Sequence, residues 1–241
     1  KELDQQKSEF VSIASHQLRS PLTAIKGYVS MLLEDTPAYG TIHAGTITAA
    51  GVEALGRVFK SANALVDIIE DLLNVSRIEQ GRMQYTMTEF DLGEMVHELV
   101  ENLAVNARER GLTISFHPET ATPYCISGDT GKVRQVINNV IDNSVKYTPR
   151  GSISVGIKSG SEGKTVVSVT DTGIGISAEN IAKLFQKFSR ASGAGKVNVT
   201  GTGIGLFIAQ EIMKAHQGRI WVESPGEGRG STFFIEFPQC I

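Results

Sequence analysis

Only two cysteines occur among the 241 residues, Cys125 and Cys240. They stand far apart, in no CxxC spacing and with no histidine cluster beside them. The spacing therefore offers neither a disulfide framework nor a zinc site, and it points to a reducing compartment. Long hydrophobic runs are missing too. No stretch approaches the roughly 18 apolar residues of a membrane-spanning helix, and no basic-then-apolar leader opens the chain. No membrane contact is expected of this segment, whose expected home is the cytoplasm; the start at Lys1 is compatible with a longer, even membrane-anchored, parent. Charge of one sign is not in excess either. The 23 basic and 26 acidic residues leave a net −3, spread along the sequence, so no basic face is on offer to nucleic acid.

What is present is ordinary globular composition, 41% hydrophobic and 20% charged, enough for one large or two modest domains. The first part has a helical period. From Lys1 to about Glu34, Val11, Ala14, Leu18, Leu22, Ile25, Val29 and Leu32 fall at three- and four-residue steps, a stripe about 80° wide. A second helix is expected from about Val52 to Gln80, with Leu55, Phe59, Ala62, Val66, Ile69, Leu73 and Ser76 in a near-heptad. Between them "TPAYGTIHAG" makes a loop. Two long helices with one stripe each are poorly covered by pairing alone, so a homodimeric four-helix bundle is expected, the alternative being a lone helical hairpin packed on the rest of the chain.

After "RIEQGRMQY" the period shifts. "GSISVGIKS", "KTVVSVTD", "GRIWVES" and "STFFIEF" alternate as strands. Helices are expected from about Leu92 to Arg110, Gly131 to Tyr147, Ala178 to Leu184 and Gly205 to His216. The expectation is an α/β sandwich with helices on one face of a mixed sheet. The domains divide as 1–82, a linker at 83–90, and 91–241.

Within the first helix, "SIASHQLRSPLTAIKGY" holds a histidine and a proline five residues apart. His16 lies about 160° from the apolar stripe and faces outward. Ser12, Ser20, Thr23 and Gly27 share that side, all small enough for another protein surface to approach. Pro21 costs one helical hydrogen bond and clashes with the carbonyl of Gln17, about 3 kcal/mol in all. A bend beside the imidazole and a merely tolerated kink both fit.

Farther on, "VRQVINNVIDNSVKYTPRG" puts Asn139, Asn143 and Lys146 on one flank of a helix. Amide oxygens suit Mg²⁺, and a lysine one turn on suits phosphate, although asparagine-rich helices also occur as plain polar surfaces. In "SVTDTGIGIS" a strand ends on Asp171, followed by Gly173 and Gly175. A carboxylate only accepts hydrogen bonds, so Asp171 suits the exocyclic amine of adenine and not the carbonyl of guanine. "GTGIGLFIAQEI" sets Gly201, Gly203 and Gly205 before a helix whose free N–H groups attract phosphate. The polar "SRASGAGKVNV" before it reads as a lid, not as the strand of a dinucleotide fingerprint.

Taken together, the chain resembles the catalytic core of a sensor histidine kinase from Phe10 through Phe237. "SHQLRSPLTAIKGY" is similar to the phosphoacceptor motif, "NNVIDNSVKYTPRG" to the asparagine motif, "DTGIGI" and "GTGIGLFIA" to the two glycine motifs, "LFQKFSRA" to the phenylalanine motif and "GSTFFIEFP" to the closing strand. The resemblance implies a Bergerat-type ATP-binding fold after the helical hairpin, with ATP and Mg²⁺ as cofactors. It implies that His16 is phosphorylated, that Asn143 holds Mg²⁺ with Asn139 close by, and that Lys146 contacts phosphate. Tyr147 would pack on adenine, Asp171 would bind its amine and Thr232 would assist. Phe185, Phe188 and Arg190 would border the lid, and Thr202 and Leu206 belong to the second glycine motif. The phosphoryl group would pass to an aspartate of a response-regulator receiver domain.

One departure stands out. Glu or Asp usually follows the histidine in this family, whereas this chain has Gln17, an amide that orients the ring but is no base near neutral pH. Ser20 takes the position where family members that also dephosphorylate their partner carry Thr or Asn. Two rival readings are a superfamily ATPase, against which the absence of glutamate from "INNVIDN" speaks, and a nucleotide-binding scaffold, for which Gln17 speaks.

Overall fold

A computed structural model describes residues 18, 22–27, 29–30, 49–119, 123–160, 163–189 and 203–240. The chain divides into two compact units, Lys1–Met83 and Gln84–Ile241.

In the first unit, residues 22–27 and 29–30 are helical, and helix α1 spans Ala49–Glu79. It starts three residues before the expected Val52, because alanine is the best helix former and needs no stripe to join in. Leu22 packs into a small core with Ala62, Ile69 and Leu73, flanked by Val66, so the near-heptad of α1 does face the first helix. The ending is a Schellman cap: the Arg82 N–H donates to the Arg77 carbonyl (2.9 Å) and the Gly81 N–H to the Ile78 carbonyl (3.0 Å). Gly81 sits at φ +63°, where only glycine avoids a Cβ clash. A second apolar row stays open to solvent in the single chain. Val58, Leu65 and Leu72 are exposed, and so are Leu18 and Ile25 of the expected first stripe.

The second unit contains strands β1 (Thr88–Asp91), β2 (Leu112–Pro118), β3 (Cys125–Gly128), β4 (Gly151–Gly160), β5 (Lys164–Asp171), β6 (Arg219–Glu223) and β7 (Ser231–Pro238). Its helices are α2 (Leu92–Glu109), α3 (Thr130–Tyr147), α4 (Ala178–Ile181) and α5 (Gly205–Ala215). The main sheet has the order β2-β4-β5-β7-β6. Only β2 and β4 run parallel, so the sheet is mixed, as expected. Helices α2, α3 and α5 pack against it and against each other.

Strand alternation sets the core. Ile153, Val155, Val167, Val169, Phe233, Ile235, Ile220 and Val222 turn inward and meet Val136, Ile137, Val140, Ile208 and Ile212 from the helices, all of them buried. The other sheet face is amphipathic and wet, with Trp221 stacked on Phe234 at 5.0 Å and Arg219 paired with Glu236 at 3.0 Å.

Part of the expected linker at 83–90 is a strand. β1 pairs antiparallel with β3 in a separate two-stranded sheet. Its four residues, Thr-Glu-Phe-Asp, contain a single apolar side chain, too short a pattern to betray a strand. The helix expected at Ala178–Leu184 is a single turn that stops at Ile181. Among the described residues no helix is long and apolar enough to cross a membrane.

Candidate functional site

Helix α3 is held at its start by a compact polar lock. Asp129, its N-cap, accepts from the Lys132 N–H at 3.0 Å and from the Thr86 N–H at 2.9 Å. Burial opposes the charge on Asp129, but these backbone donors outweigh it and hold the carboxyl below its ordinary range. The Asp129 N–H in turn donates to Nε2 of His216 at 2.9 Å. That nitrogen must then be an acceptor, so the proton sits on Nδ1, 2.8 Å from the Ile212 carbonyl, and the buried ring is neutral. The C-terminus of α5 thereby grips the N-terminus of α3, and Tyr85 packs edge-on against the same ring at 5.5 Å.

From that anchor, α3 presents Asn139, Asn143 and Lys146 along one flank. Lys146 Nζ lies 2.5 Å from Asp142 Oδ2. Helical periodicity puts Asp142 about 100° away from Asn143, yet the i,i+4 spacing lets its carboxylate reach the ammonium. Among the described residues, three buried side-chain polar atoms lack a hydrogen-bond partner: Asn139 Nδ2, Ser144 Oγ and Thr148 Oγ1. All three belong to α3 or its C-cap. Buried polar groups are normally paired; helix rotation sets Ser144 about 140° from Asn139, on the core face, whereas Asn139 lies against Gly205 and Thr148 against Gly173.

Two glycine turns close on that helix. A Cβ on Gly205, the first residue of α5, would stand 2.7 Å from Asn139 Oδ1, so glycine is what lets the α5 N-terminus approach the asparagine. A Cβ on Gly173 would stand 2.8 Å from both Asp171 Oδ1 and Thr148 Oγ1, and would press on the Tyr147 carbonyl. Tyr147 contributes to the turn through its backbone, its carbonyl accepting the Ile174 N–H at 3.1 Å. Gly175 and Gly203 both have positive φ. The first turn is braced from behind by the β6–β7 connection: the Gly228 N–H donates to the Ile174 carbonyl (2.6 Å), the Gly230 N–H to the Gly173 carbonyl (3.1 Å), and the Ile176 N–H to Ser224 Oγ (3.0 Å).

Asp171 is the carboxyl at the centre of the arrangement. It is only 6% exposed, and burial pushes its carboxyl above the ordinary range, partly offset by donors from Ser231 and Gly173. Ser231 Oγ donates to Oδ2 at 2.6 Å and the Gly173 N–H to Oδ1 at 2.8 Å.

Ser231, and not the expected Thr232, is therefore the hydroxyl beside Asp171. Asp171 and Ser231 are cross-strand partners, and strand alternation turns the next residue to the opposite face. The Thr232 hydroxyl lies there, 3.1 Å from that of Thr170. Ser231 and Thr148 lie within the closing-strand and asparagine motifs without standing out there, because only pairing across the sheet and the turn after α3 bring them to the site; Ser224 has no motif around it.

Phe185 is half-buried and Phe188 exposed. Phe188 adopts φ +59°, unusual for a bulky side chain. A Cβ on Gly203 would meet Phe188 and the Ser189 carbonyl, so the residues on either side of segment 190–202 come together. Leu206 lies in the first turn of α5, half-buried. His16, Gln17, Ser20, Pro21, Arg190, Gly201 and Thr202 lie outside the described residues.

Comparison with known proteins agrees with this geometry. Residues 6–81 match the His Kinase A (phospho-acceptor) domain, and residues 128–241 match the Histidine kinase-, DNA gyrase B-, and HSP90-like ATPase family. The sensor protein GacS of Pseudomonas syringae is 31% identical over 97% of this chain and 25% of its own length. Cyanobacterial phytochrome B of Nostoc is 35% identical over 96% and 29%. The signal transduction histidine-protein kinase BarA of Escherichia coli is 31% identical over 95% and 24%. The chain thus spans about a quarter of the length of these relatives. Full-length ShkA, solved in complex with AMPPNP, superposes with a TM-score of 0.75 at 26% identity, over 95% of this chain and 45% of that one. Phospho-acceptor helices followed by a mixed-sheet ATPase domain, in one chain and in this order, make the protein a member of the sensor histidine kinases that carries their catalytic core.

Proposed function

We propose that this chain binds ATP with Mg²⁺ in the second unit, transfers the γ-phosphoryl group to His16 and passes it on to an aspartate of a response-regulator receiver domain. The observation that carries the reading is the buried Asp171, whose carboxyl lies beside the unpartnered Thr148 hydroxyl at a tightly packed glycine turn. Ionised Asp171 accepts from the adenine amine, with Ser231 and the Gly173 N–H fixing its two oxygens. Tyr147 and Phe188 flank the base and the lid. The free N–H groups at the start of α5, with Gly201, Thr202, Gly203, Gly205 and Leu206, receive phosphate; Lys146 and Arg190 add positive charge, Lys146 on leaving Asp142.

The donor set on α3 fits a magnesium ion, since Asn139 and Asn143 offer neutral amide oxygens and phosphate and water supply the rest. Held chiefly by Asn143, the ion would neutralise phosphate charge. In the transfer itself the neutral imidazole of His16 attacks in line, an N–P bond forms as the bond to the ADP oxygen breaks, and the imidazole proton leaves. Gln17, an amide, can orient the ring by a hydrogen bond but takes no proton, so water or a phosphate oxygen accepts it. Ser20 is the group that would position water if the chain also dephosphorylates its regulator.

A second copy completes the first unit. Val58, Leu65 and Leu72 recur every seven residues on α1 and are exposed in the single chain; such a row suits the seam of a four-helix bundle. The surroundings of a reducing cytoplasm suit the free thiols.

The test is incubation with γ-labelled ATP. Label that is protein-bound, acid-labile and base-stable, and lost in His16→Gln, is the expected result. Label that survives the substitution refutes the assignment of His16. Phosphate released without labelling favours the ATPase reading, and nucleotide binding without either favours the scaffold reading that Gln17 suggests.

A further inference from the structure

The two cysteines that sequence spacing keeps apart meet in the second unit. Beyond β7, Gln239 bridges antiparallel to Ile126 of β3, which sets Cys240 opposite Cys125. The Cys240 N–H donates to the Cys125 carbonyl at 3.0 Å. On the other edge of β3, Glu89 of β1 pairs with Ser127 and so lies diagonally across from Cys125, on the same face of the small sheet. The two sulfurs and a Glu89 carboxylate oxygen all lie within 4.8 Å of one another. Both thiols are free and half-buried, and Glu89 is exposed, so solvent reaches the cluster.

We propose that Glu89, Cys125 and Cys240 form a surface site for a thiophilic divalent cation, with zinc(II) the best match and water as fourth ligand. Two sulfurs exclude the hard cations, which take oxygen ligands. Zinc prefers four ligands at about 2.3 Å for sulfur and about 2.0–2.2 Å for oxygen. A tetrahedron of that size has edges of about 3.5–3.8 Å, within reach of side-chain rotation from the present spacing. On binding, each thiol gives up its proton to solvent as an S–metal bond forms, and no electron moves. The ion would clip the tail after β7 to β1 and β3, close to where the second unit begins.

The competing chemistry is oxidation. A hydrogen-bonded antiparallel pair has its Cα atoms about 5.5 Å apart, a separation that a disulfide also tolerates. The test therefore uses the full chain kept reduced with a phosphine and titrated with zinc(II) alone against a chromophoric chelator. One ion per chain is expected. Cys125→Ser and Cys240→Ser should each weaken binding roughly a hundredfold or more, as loss of one of few strong ligands does, and Glu89→Gln less. Cobalt(II) in place of zinc should give sulfur-to-metal charge-transfer absorption that both serine variants lose. Zinc should also raise the melting temperature of the wild type but not of the serine variants, all of which are compared in chelator first. No uptake by the reduced chain, or uptake unchanged by the serine substitutions, overturns the site. A reduced chain that takes no zinc but becomes two hydrogens lighter in air overturns it in favour of a disulfide.

Discussion

Replacing Asp171 by Asn separates recognition of the base from stability of the domain. The carboxylate is buried, takes the Ser231 hydroxyl at 2.6 Å and the Gly173 N–H at 2.8 Å, and is pushed above its usual range by burial. A carboxyl whose folded-state value is raised favours the fold most below its unfolded range, and that contribution is lost as pH rises through the raised value. Above that raised range the ionised group is thus a burden on the free domain. The amide keeps the shape, removes the burden and still accepts from Gly173, so the melting temperature at pH 7 should stay within about 3 °C of the wild type or rise. Nucleotide binding should behave oppositely. A hydrogen bond to a charged acceptor contributes roughly 1.5–3 kcal/mol, which corresponds to a loss of roughly 10- to 150-fold in affinity for ADP. Preference for adenine over guanine nucleotides should shrink with it, because an amide can also donate. In the wild type, affinity should fall as pH drops into the raised carboxyl range, and Asp171→Asn should be flat there. Calorimetric titration with ADP and GDP across pH, beside thermal melts, reads all of this. Unchanged adenine affinity in a folded Asp171→Asn would refute the role of the carboxylate.

Gly205→Ala should lower nucleotide affinity and cost about 1–3 kcal/mol by overpacking, although Gly to Ala inside a helix ordinarily gains about 1 kcal/mol, because the new Cβ would stand 2.7 Å from Asn139 Oδ1; denaturant melts give the sign. His216→Leu leaves the Asp129 N–H without its acceptor and should destabilise the second unit by about 1–3 kcal/mol, measured the same way. On α1, Leu73→Ala should cost about 2–5 kcal/mol as a buried truncation. Leu65→Asp, on the exposed row, should instead leave helix content intact and shift sedimentation from dimer to monomer.

Long periodic elements are legible in the amino-acid order alone. The near-heptad around Ala62, Ile69 and Leu73 and the alternation of β4, β5 and β7 each repeat often enough to declare a face. Short elements are not: β1 and β3 have four residues apiece and owe their existence to pairing with each other across the whole of α2 and β2, a relation no local window contains. The site shows the same contrast. Asp171 and the glycines stand out because they cluster along the chain. Ser231 does not, although Phe233, Ile235 and Phe237 read as one inward face and the period of two extends that face to position 231. The Asp142–Lys146 pair is legible as well, because residues four apart on a helix are neighbours. Cys125 and Cys240 read as unrelated because sequence distance says nothing of which strand ends meet.

The strand order has a bearing on timing during synthesis. β7, the last of the described strands, lies inside the sheet between β5 and β6, and it brings Ser231 to Asp171. A ribosome that has made everything up to β6 has therefore released a sheet with an open gap and an incomplete base pocket. Chains emerge from the N-terminus at about 5–20 residues per second, so the helical unit has seconds in which to settle before the nucleotide domain can close. Until Pro238, the end of β7, is clear, the strand edges of β5 and β6 are unpaired, and chaperone capture or aggregation of truncated chains is expected at that stage.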